Sequence, residues 1–562
     1  MISFSADPNA AEQEMRAVIY YLTAFGFVDG SFDVEEMGFV LRFVRELVEA
    51  RAASAPGISP EIRAELVEKW TRHFEEVAEE VAQEIDAHTK EPVAEGEADG
   101  AFVMTRVKLR CFELFTRFDE TSRERLLSIA EGMMAADGVV HPEELKFRDE
   151  LHALLDAPQL EDVDEDLELE LEVPGDRVNI RPAARRPIQH DGHEFLTLGE
   201  WDYPSDPEGF AREAERDMNL AERIIRRLDA ARAKGAGKLE GAKSFRDFDG
   251  GDAFLDGHVH VLPPPPSGEM ELLVIGDLHG CYSCLKGALL QSDFFGKVER
   301  HVQDPSRHPA MKLVLLGDYI DRGRFSYNGV LRAAMQLALV APEHVYVLRG
   351  NHEYYVEMNN MVLAPVRPAE AINSIKKIAP KAVLSTWMKL FEALPHALAF
   401  DQFFFVHAGL PREKTLHERW QGLQTLNDPD VRFQMLWSDP SEVDHVPDDL
   451  QEASARFPFG RKQFQSFMHR LGVTTMVRGH ERVIQGFKVV YDDPEARLLS
   501  LFSAGGATNG DLPETSNYRE VTPMALTIRW RDGVSEVTPF PIEYERFNDP
   551  RFNRFFAAQL AP

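Results

Sequence analysis

Leu272-Leu273-Val274-Ile275-Gly276-Asp277-Leu278-His279-Gly280 joins a short, wholly apolar run to a cluster of glycine, carboxylate and imidazole. Four later segments repeat this pattern. Lys312 to Leu316 runs into Gly317-Asp318-Tyr319-Ile320-Asp321-Arg322-Gly323, and Val345 to Leu348 runs into Arg349-Gly350-Asn351-His352-Glu353. Phe403 to Val406 runs into His407-Ala408-Gly409, and Thr474 to Val477 runs into Arg478-Gly479-His480. A short apolar run without alternation marks a strand covered on both faces. Such strands deliver polar side chains at their carboxyl ends, where α/β sheets bind ligands. The glycines let the backbone turn tightly and approach a site. The expected fold class for this half of the chain is α/β.

The side chains brought by these clusters are carboxylate, imidazole and amide oxygen, a donor set for divalent cations that needs no thiolate. Asp277 and His279 leave the same face of an extended chain and can share one ion. Asp318 can bridge two ions through its two oxygens, with Asn351, His407 and His480 completing the second. Two ions about 3.5–4 Å apart clamp both the attacking and the leaving oxygen of a displacement at phosphorus.

The five clusters, in this order, resemble the phosphoprotein phosphatase (PPP) family, the metal-dependent serine/threonine phosphatases among the calcineurin-like metallophosphoesterases. The likeness is closest over Gly317 to Gly323, Leu348 to Glu353, and Leu436-Trp437-Ser438-Asp439-Pro440. It covers roughly residues 270–540. The resemblance implies a calcineurin-like β-sandwich flanked by helices. It implies two divalent ions, manganese first with iron or zinc as alternatives, held by Asp277, His279, Asp318, Asn351, His407 and His480. A metal-bridging hydroxide would be the nucleophile, with no covalent enzyme intermediate. His352, oriented by Asp321, would protonate the leaving group, while Arg322, Asn351 and Arg456 would hold the phosphate. The sequence departs from eukaryotic members where Leu501-Phe502-Ser503-Ala504 continues as Gly505-Gly506-Ala507 instead of Pro-Asn-Tyr.

The chain has 562 residues, a length that calls for several domains. Its formal net charge is −32, so phosphate backbones and anionic membranes are repelled, and neither nucleic acid nor a membrane is expected as partner. An anionic substrate then requires local positive charge from metal ions and arginine. Three cysteines, no basic-then-apolar start and no long apolar run make a cytoplasmic location the expectation.

Residues 1–158 read as an all-α domain. Val18, Tyr21, Leu22 and Phe25 recur at helical spacing, as do Phe39, Phe43, Val44 and Leu47. Asp29-Gly30 to Glu36 matches Asp137-Gly138 to Glu144, an internal repeat that places Asp-Gly between two helices. The pattern resembles tellurite-resistance (TerB-like) helical domains. Residues 85–100 look like a loop within it. Residues 159–204 read as an acidic linker containing an edge strand in 161–173 and a hairpin at Asp191-Gly192. Residues 205–266 read as a helical connector, with Pro207 opening a helix to about Lys234, closed by the spacer Pro263 to Pro266. The catalytic domain is placed at 267–545 and a tail at 546–562.

Other features carry weaker signals. Cys281 and Cys284 are read as ordinary helix residues, with a redox switch as the alternative. His258-Val259-His260 is read as a strand with two exposed imidazoles. Three functions compete. The first is a serine/threonine protein phosphatase acting on phosphoproteins, with a regulatory partner at the helical domain. The second is a hydrolase of dinucleoside polyphosphates or another small phosphorylated molecule, suggested by Gly280-Cys281-Tyr282. The third is a phosphatase-like sensor or scaffold working through the helical domain.

Overall fold

The computed structural model describes residues 4–5, 7–28, 32, 34–54, 59–89, 99–116, 118–134, 142–156, 177–188, 190–358, 361–453 and 456–560. Two compact units emerge. One comprises Met1–Val93, Glu97–Glu168 and Ser441–Ser454; the other comprises Ala94–Gly96, Leu169–Pro440 and Ala455–Pro562.

In the larger unit, the described strands form two main sheets. The first runs in the order Val178–Ile180, Val534–Pro541, Met524–Arg531, Glu269–Ile275, Ala310–Leu315, Val345–Val347. The second runs Phe487–Asp493, Ala496–Leu501, Thr475–Arg478, Phe403–Val406, Ala397–Phe400, Val259–Val261, Phe254–Asp256. The period-two geometry of a strand explains why their sequences are continuously apolar. Leu272 and Val274 enter the core shared by the two sheets, with Phe403, Phe405 and Val477 from the other side. Leu273 and Ile275 face the opposite way, into a second core with Leu285, Leu289, Leu331 and Trp387. Phe404 and Met476 face a third core with Phe464 and Phe467. Strands such as Phe403–Val406 and Thr475–Arg478 are thus buried on both faces, in a mixed α/β arrangement of sheets with flanking helices.

Three expectations about boundaries need correction. The Asp191-Gly192 hairpin does not form. His193 accepts from Phe195 N at 3.2 Å and caps a helix over Glu194–Gly199. Cap and first-turn acid (Glu194) outweigh the turn dipeptide here. The connector is part of the catalytic fold, not a separate piece ahead of it. Val178–Ile180 pairs parallel with Val534–Pro541, and Val259–Val261 pairs parallel with Ala397–Phe400. Helix Pro207–Gly235 forms as its capping sequence predicts, but it supplies Asp217 to Arg332 at 2.8 Å, both fully buried. Arg332 also lies 3.3 Å over the Trp201 ring, and Lys286 pairs with Glu200 at 2.5 Å. Lastly, residues 546–560 are no loose tail. Phe547 and Phe556 join the main core, and Arg554 N donates to Glu200 at 2.9 Å.

In the other unit, the described elements are helices: Pro8–Gly26, Val34–Ser54, Pro60–Thr89, Asp99–Phe115, Glu120–Met134, Pro142–Asp156 and Asp448–Glu452. Val18, Tyr21, Leu22 and Phe25 turn inward as their spacing predicts. Tyr21 meets Phe115 edge-on at 4.6 Å, and Phe25 meets Phe147 at 5.9 Å. Val443, Val446 and Leu450 complete this core from far along the chain. The Asp-Gly turns of the internal repeat, the acidic stretch 161–173 and most of the 85–100 loop lie outside the described residues.

Candidate metal centre and phosphate site

All five clusters emerge at the carboxyl ends of their strands. The backbone there is strained: His279, Asp318, Asp321, Arg322 and His480 all have positive φ, between 44° and 71°. Non-glycine residues in this region cost about 1–3 kcal/mol each and persist only where surrounding structure forces them. Close packing supplies that force. A Cβ on Gly479 would overlap Asp277 Oδ1, and one on Gly350 would overlap both Asp318 Oδ1 and Asp318 N. Only glycine leaves these two carboxylates their places.

The six side chains singled out for metal binding converge. His279 Nε2 lies 3.4 Å from Asp318 Oδ2 and 3.8 Å from Asp277 Oδ2. His407 Nε2 lies 3.3 Å from Asp318 Oδ1 and 2.9 Å from Asn351 Oδ1. His480 Nδ1 lies 3.2 Å from both Asn351 Oδ1 and His407 Nε2. All six residues are buried. Asp277 is oriented by the His480 N–H at 2.9 Å.

The chemistry of this cluster asks for cations. Asn351 Oδ1 faces acceptors, whereas the flipped amide would donate to His407, His480 and Asp318. A bound cation would select the amide oxygen, whereas the amide N–H satisfies the same neighbours without one. Burial pushes Asp277 up to about 7. Burial, with like charge from Asp277 and Glu353, holds Asp318 well above the usual carboxylate range. Burial likewise holds His279, His407 and His480 neutral, the state a metal ligand needs. His279 is fixed through Nδ1 on Ile320 O at 3.0 Å, and His407 through Nδ1 on Leu316 O at 3.2 Å. Each therefore turns Nε2 inward. This donor set fits divalent metal ions.

Beside it, His352 Nδ1 sits 2.7 Å from Asp321 Oδ2, which is buried and also accepts from Ala371 N through Oδ1 at 2.7 Å. Burial, then the Arg322 and Arg456 cations, pull His352 well below its ordinary range. Arg456 Nη1 lies 2.6 Å from His480 Nε2 and 3.4 Å from Asp439 Oδ2. Arg322 is held by Glu370 at 2.9 Å and by Pro368 O at 2.8 Å.

Several contributors were not assigned roles on sequence grounds. Glu353 accepts from Asp318 N, Tyr319 N and Gly350 N at 2.8, 2.9 and 3.1 Å, which cradles the bridging loop. Asp439 and fully buried Arg478 pair at 2.9 Å, and Arg478 also binds Ala408 O, Ser438 O and Glu481. Arg478 thereby ties three motif loops together. Their signal was adjacency to the motifs, which does not say where a side chain points. Tyr518, downstream of the Gly505-Gly506-Ala507 departure, lies tilted against His279 at 5.3 Å and edge-on to Phe502 at 5.2 Å.

Other candidates resolve as packing. Cys281 and Cys284 are fully buried, and burial raises the Cys281 thiol, the opposite of an activated nucleophile. His258 and His260 are half-buried, not exposed as expected: His258 Nδ1 meets Leu394 O at 3.1 Å and His260 packs on Tyr346. No helix among the described residues is long and apolar enough to cross a membrane.

Residues 270–483 match the family model described as calcineurin-like phosphoesterase. A probable serine/threonine-protein phosphatase of Encephalitozoon cuniculi is 26% identical over 311 residues, covering 54% of this chain and 60% of that protein. The serine/threonine-protein phosphatase 4 catalytic subunit of Eremothecium gossypii is 27% identical over 206 residues, covering 34% of this chain and 59% of that one. The chain thus spans about three fifths of the length of these relatives. Among solved structures, a protein serine/threonine phosphatase from Saccharomyces cerevisiae aligns over 58% of this chain and 90% of its own, at 17% identity and a TM-score of 0.36. The matched segment is similar to a calcineurin-like phosphoesterase domain.

Proposed function

We propose that the chain is a two-metal serine/threonine protein phosphatase whose ligands are Asp277, His279, Asp318, Asn351, His407 and His480. The observation that carries this reading is the convergence of buried carboxylate and imidazole groups on Asp318, with His279 Nε2 3.4 Å from its Oδ2 and His407 Nε2 3.3 Å from its Oδ1. Divalent ions, when bound, supply Lewis-acid charge to the phosphate and lower the pKa of water. Manganese is our first choice of metal.

The protein's own groups divide the remaining work. Arg456 stands at the edge of the ligand cluster with its side chain about a third exposed, placed to fork onto phosphate oxygens. Arg322 joins it once Glu370, itself 44% exposed, gives way to the incoming phosphate. Asn351 can donate its amide N–H to the phosphate while its oxygen serves the metal. Asp321 holds the Nδ1–H of His352 and leaves Nε2 toward the site. Burial and then the arginine cations depress His352, and a phosphate dianion arriving between the arginines offsets the second of these. The imidazole then takes up a proton and delivers it to the departing alkoxide. The helical unit, read as TerB-like, is assigned a regulatory role.

Hydrolysis of dinucleoside polyphosphates or another small phosphorylated molecule is the second reading, although Cys281 and Tyr282 of its Gly280-Cys281-Tyr282 run are buried and Tyr282 OH donates to Glu200 at 3.1 Å. Steady-state kinetics with manganese on phosphoserine peptides and on dinucleoside polyphosphates tests the choice. Peptide turnover is expected; dinucleotide cleavage without peptide turnover would overturn it.

A further inference from the structure

The segment Ser441–Ser454 interrupts the phosphoesterase domain in sequence yet belongs to the helical unit. Val443, Val446 and Leu450 are 8%, 2% and 1% exposed within the helical core. The segment is stitched at both ends. Buried Glu113, on helix Asp99–Phe115, accepts from Ser441 Oγ at 2.6 Å and Glu442 N at 3.2 Å through Oε1. Its other oxygen takes Arg110 at 2.9 Å, which also reaches Glu442 at 3.2 Å. Thr105 Oγ1 donates to Ala453 O at 3.3 Å.

The neck of this loop lies in the phosphate site. Asp439 N donates to Arg456 O at 3.2 Å, Phe459 N donates to Asp439 O at 2.9 Å, and Pro440 bridges Phe459. The side chains of the same two neck residues meet His480: Arg456 at 2.6 Å and Asp439 at 3.7 Å. Any slack admitted at Ser441 reaches Asp439 within two residues.

We infer that Glu113 of the helical unit is a positioning residue for phosphate capture, setting Asp439 and Arg456 through its grip on Ser441 and Glu442. The inference rests on the phosphatase reading for the identity of the anion. Its physical basis is that removing a buried carboxylate takes one acceptor from both the Ser441 hydroxyl and the Glu442 N–H, which favours a shift of the segment. The helical unit then acts on the ligand-binding arginine by chain connection.

The test uses the full-length, manganese-loaded protein with Glu113→Ala, Glu113→Gln and Ser441→Ala. Two quantities are measured: KM and kcat on p-nitrophenyl phosphate, and calorimetric affinity for tungstate, a phosphate-shaped anion. E113A is expected to raise KM and weaken tungstate together by about fivefold to tenfold, as for one misplaced charge-assisted contact. Its kcat should stay within about twofold, with metal content unchanged. E113Q should restore most of the loss, because an amide oxygen still accepts from Ser441 and Glu442. S441A should move both readouts the same way by a smaller factor. A folded E113A with unchanged KM and tungstate affinity would overturn the inference, as would E113Q failing to rescue. If E113A does not fold, S441A decides, and unchanged values there overturn it. A wild-type protein inactive on every phosphoester sinks the phosphatase reading instead, and the tungstate series still reports on Glu113.

Discussion

Replacing His352 with asparagine separates proton delivery from metal binding. His352 Nδ1 is 2.7 Å from Asp321, whereas its Nε2 is 3.9 Å from Asp318 Oδ2, beyond hydrogen-bond reach. Its backbone N–H, which donates to Asp318 Oδ1 at 3.1 Å, survives the substitution. The ligand cluster therefore loses no hydrogen bond, only the edge-on ring contact of His352 with His279, and manganese content should equal that of wild type. Turnover of a phosphoserine peptide should fall by about 10²–10⁴-fold, the usual worth of a positioned general acid. Turnover of p-nitrophenyl phosphate should fall far less, because its leaving anion is stable without a proton. The assay is kcat on both substrates beside elemental metal analysis. Equal losses on the two substrates would refute the acid role. So would loss of metal, which would make His352 a ligand, a placement its 4.8 Å grouping with His279 and Asp318 permits geometrically.

Four further substitutions test other parts of the argument. Asp318→Asn removes the charge shared between the two ion positions, and metal occupancy and activity should fall together in a titration with manganese. Gly479→Ala puts a methyl group into Asp277 Oδ1, so calorimetry should show metal affinity reduced by about 10–100-fold with the fold retained. Asp217→Ala leaves the buried Arg332 cation without its carboxylate; chemical denaturation should report a loss of about 3–5 kcal/mol, against little effect if the 178–266 segment were a detachable connector. Asp401 gives a pH test away from the metals: burial pushes its carboxyl up to about 6, against the pull of Trp530 Nε1 at 2.9 Å. A raised carboxyl keeps its proton in the folded state when the unfolded chain has lost it. That contribution is full below pH 3.8 and is lost as pH rises through about 6. Asp401→Asn keeps the acceptor and tolerates the positive φ. It should gain about 1–2 kcal/mol on wild type between pH 5 and 8 in urea melts, after allowance for partial exposure.

The Phe403 to Val406 run shows why the site was legible early. A strand buried on both faces writes its burial into consecutive residues, and the polar residue that follows, His407, lies where the strand must end. Neither statement needs knowledge of the rest of the chain. The same holds at Val274–Ile275 before Asp277 and at Leu315–Leu316 before Asp318. Legibility failed where a local signal competed with a distant partner. Asp191-Gly192 reads as a turn, but the His193 cap and the packing beyond it made a helix. Pro263 to Pro266 reads as a boundary, yet Val259–Val261 on its amino-terminal side pairs with Ala397–Phe400.

By itself, then, the sequence determined the α/β class of the larger unit, the inward helical faces of the smaller one, and the identity of the metal-site candidates. These depend on periodicity and on residue chemistry, both local properties. The tertiary structure alone decided that Glu353 cradles the Asp318 loop, that Arg478 ties three motif loops, and that Ser441–Ser454 is claimed by the helical unit. Ser441 and Glu113 are 328 residues apart along the chain, and no local pattern encodes which distant acceptor a buried hydroxyl will find. That choice is made only when burial removes water as the competing partner.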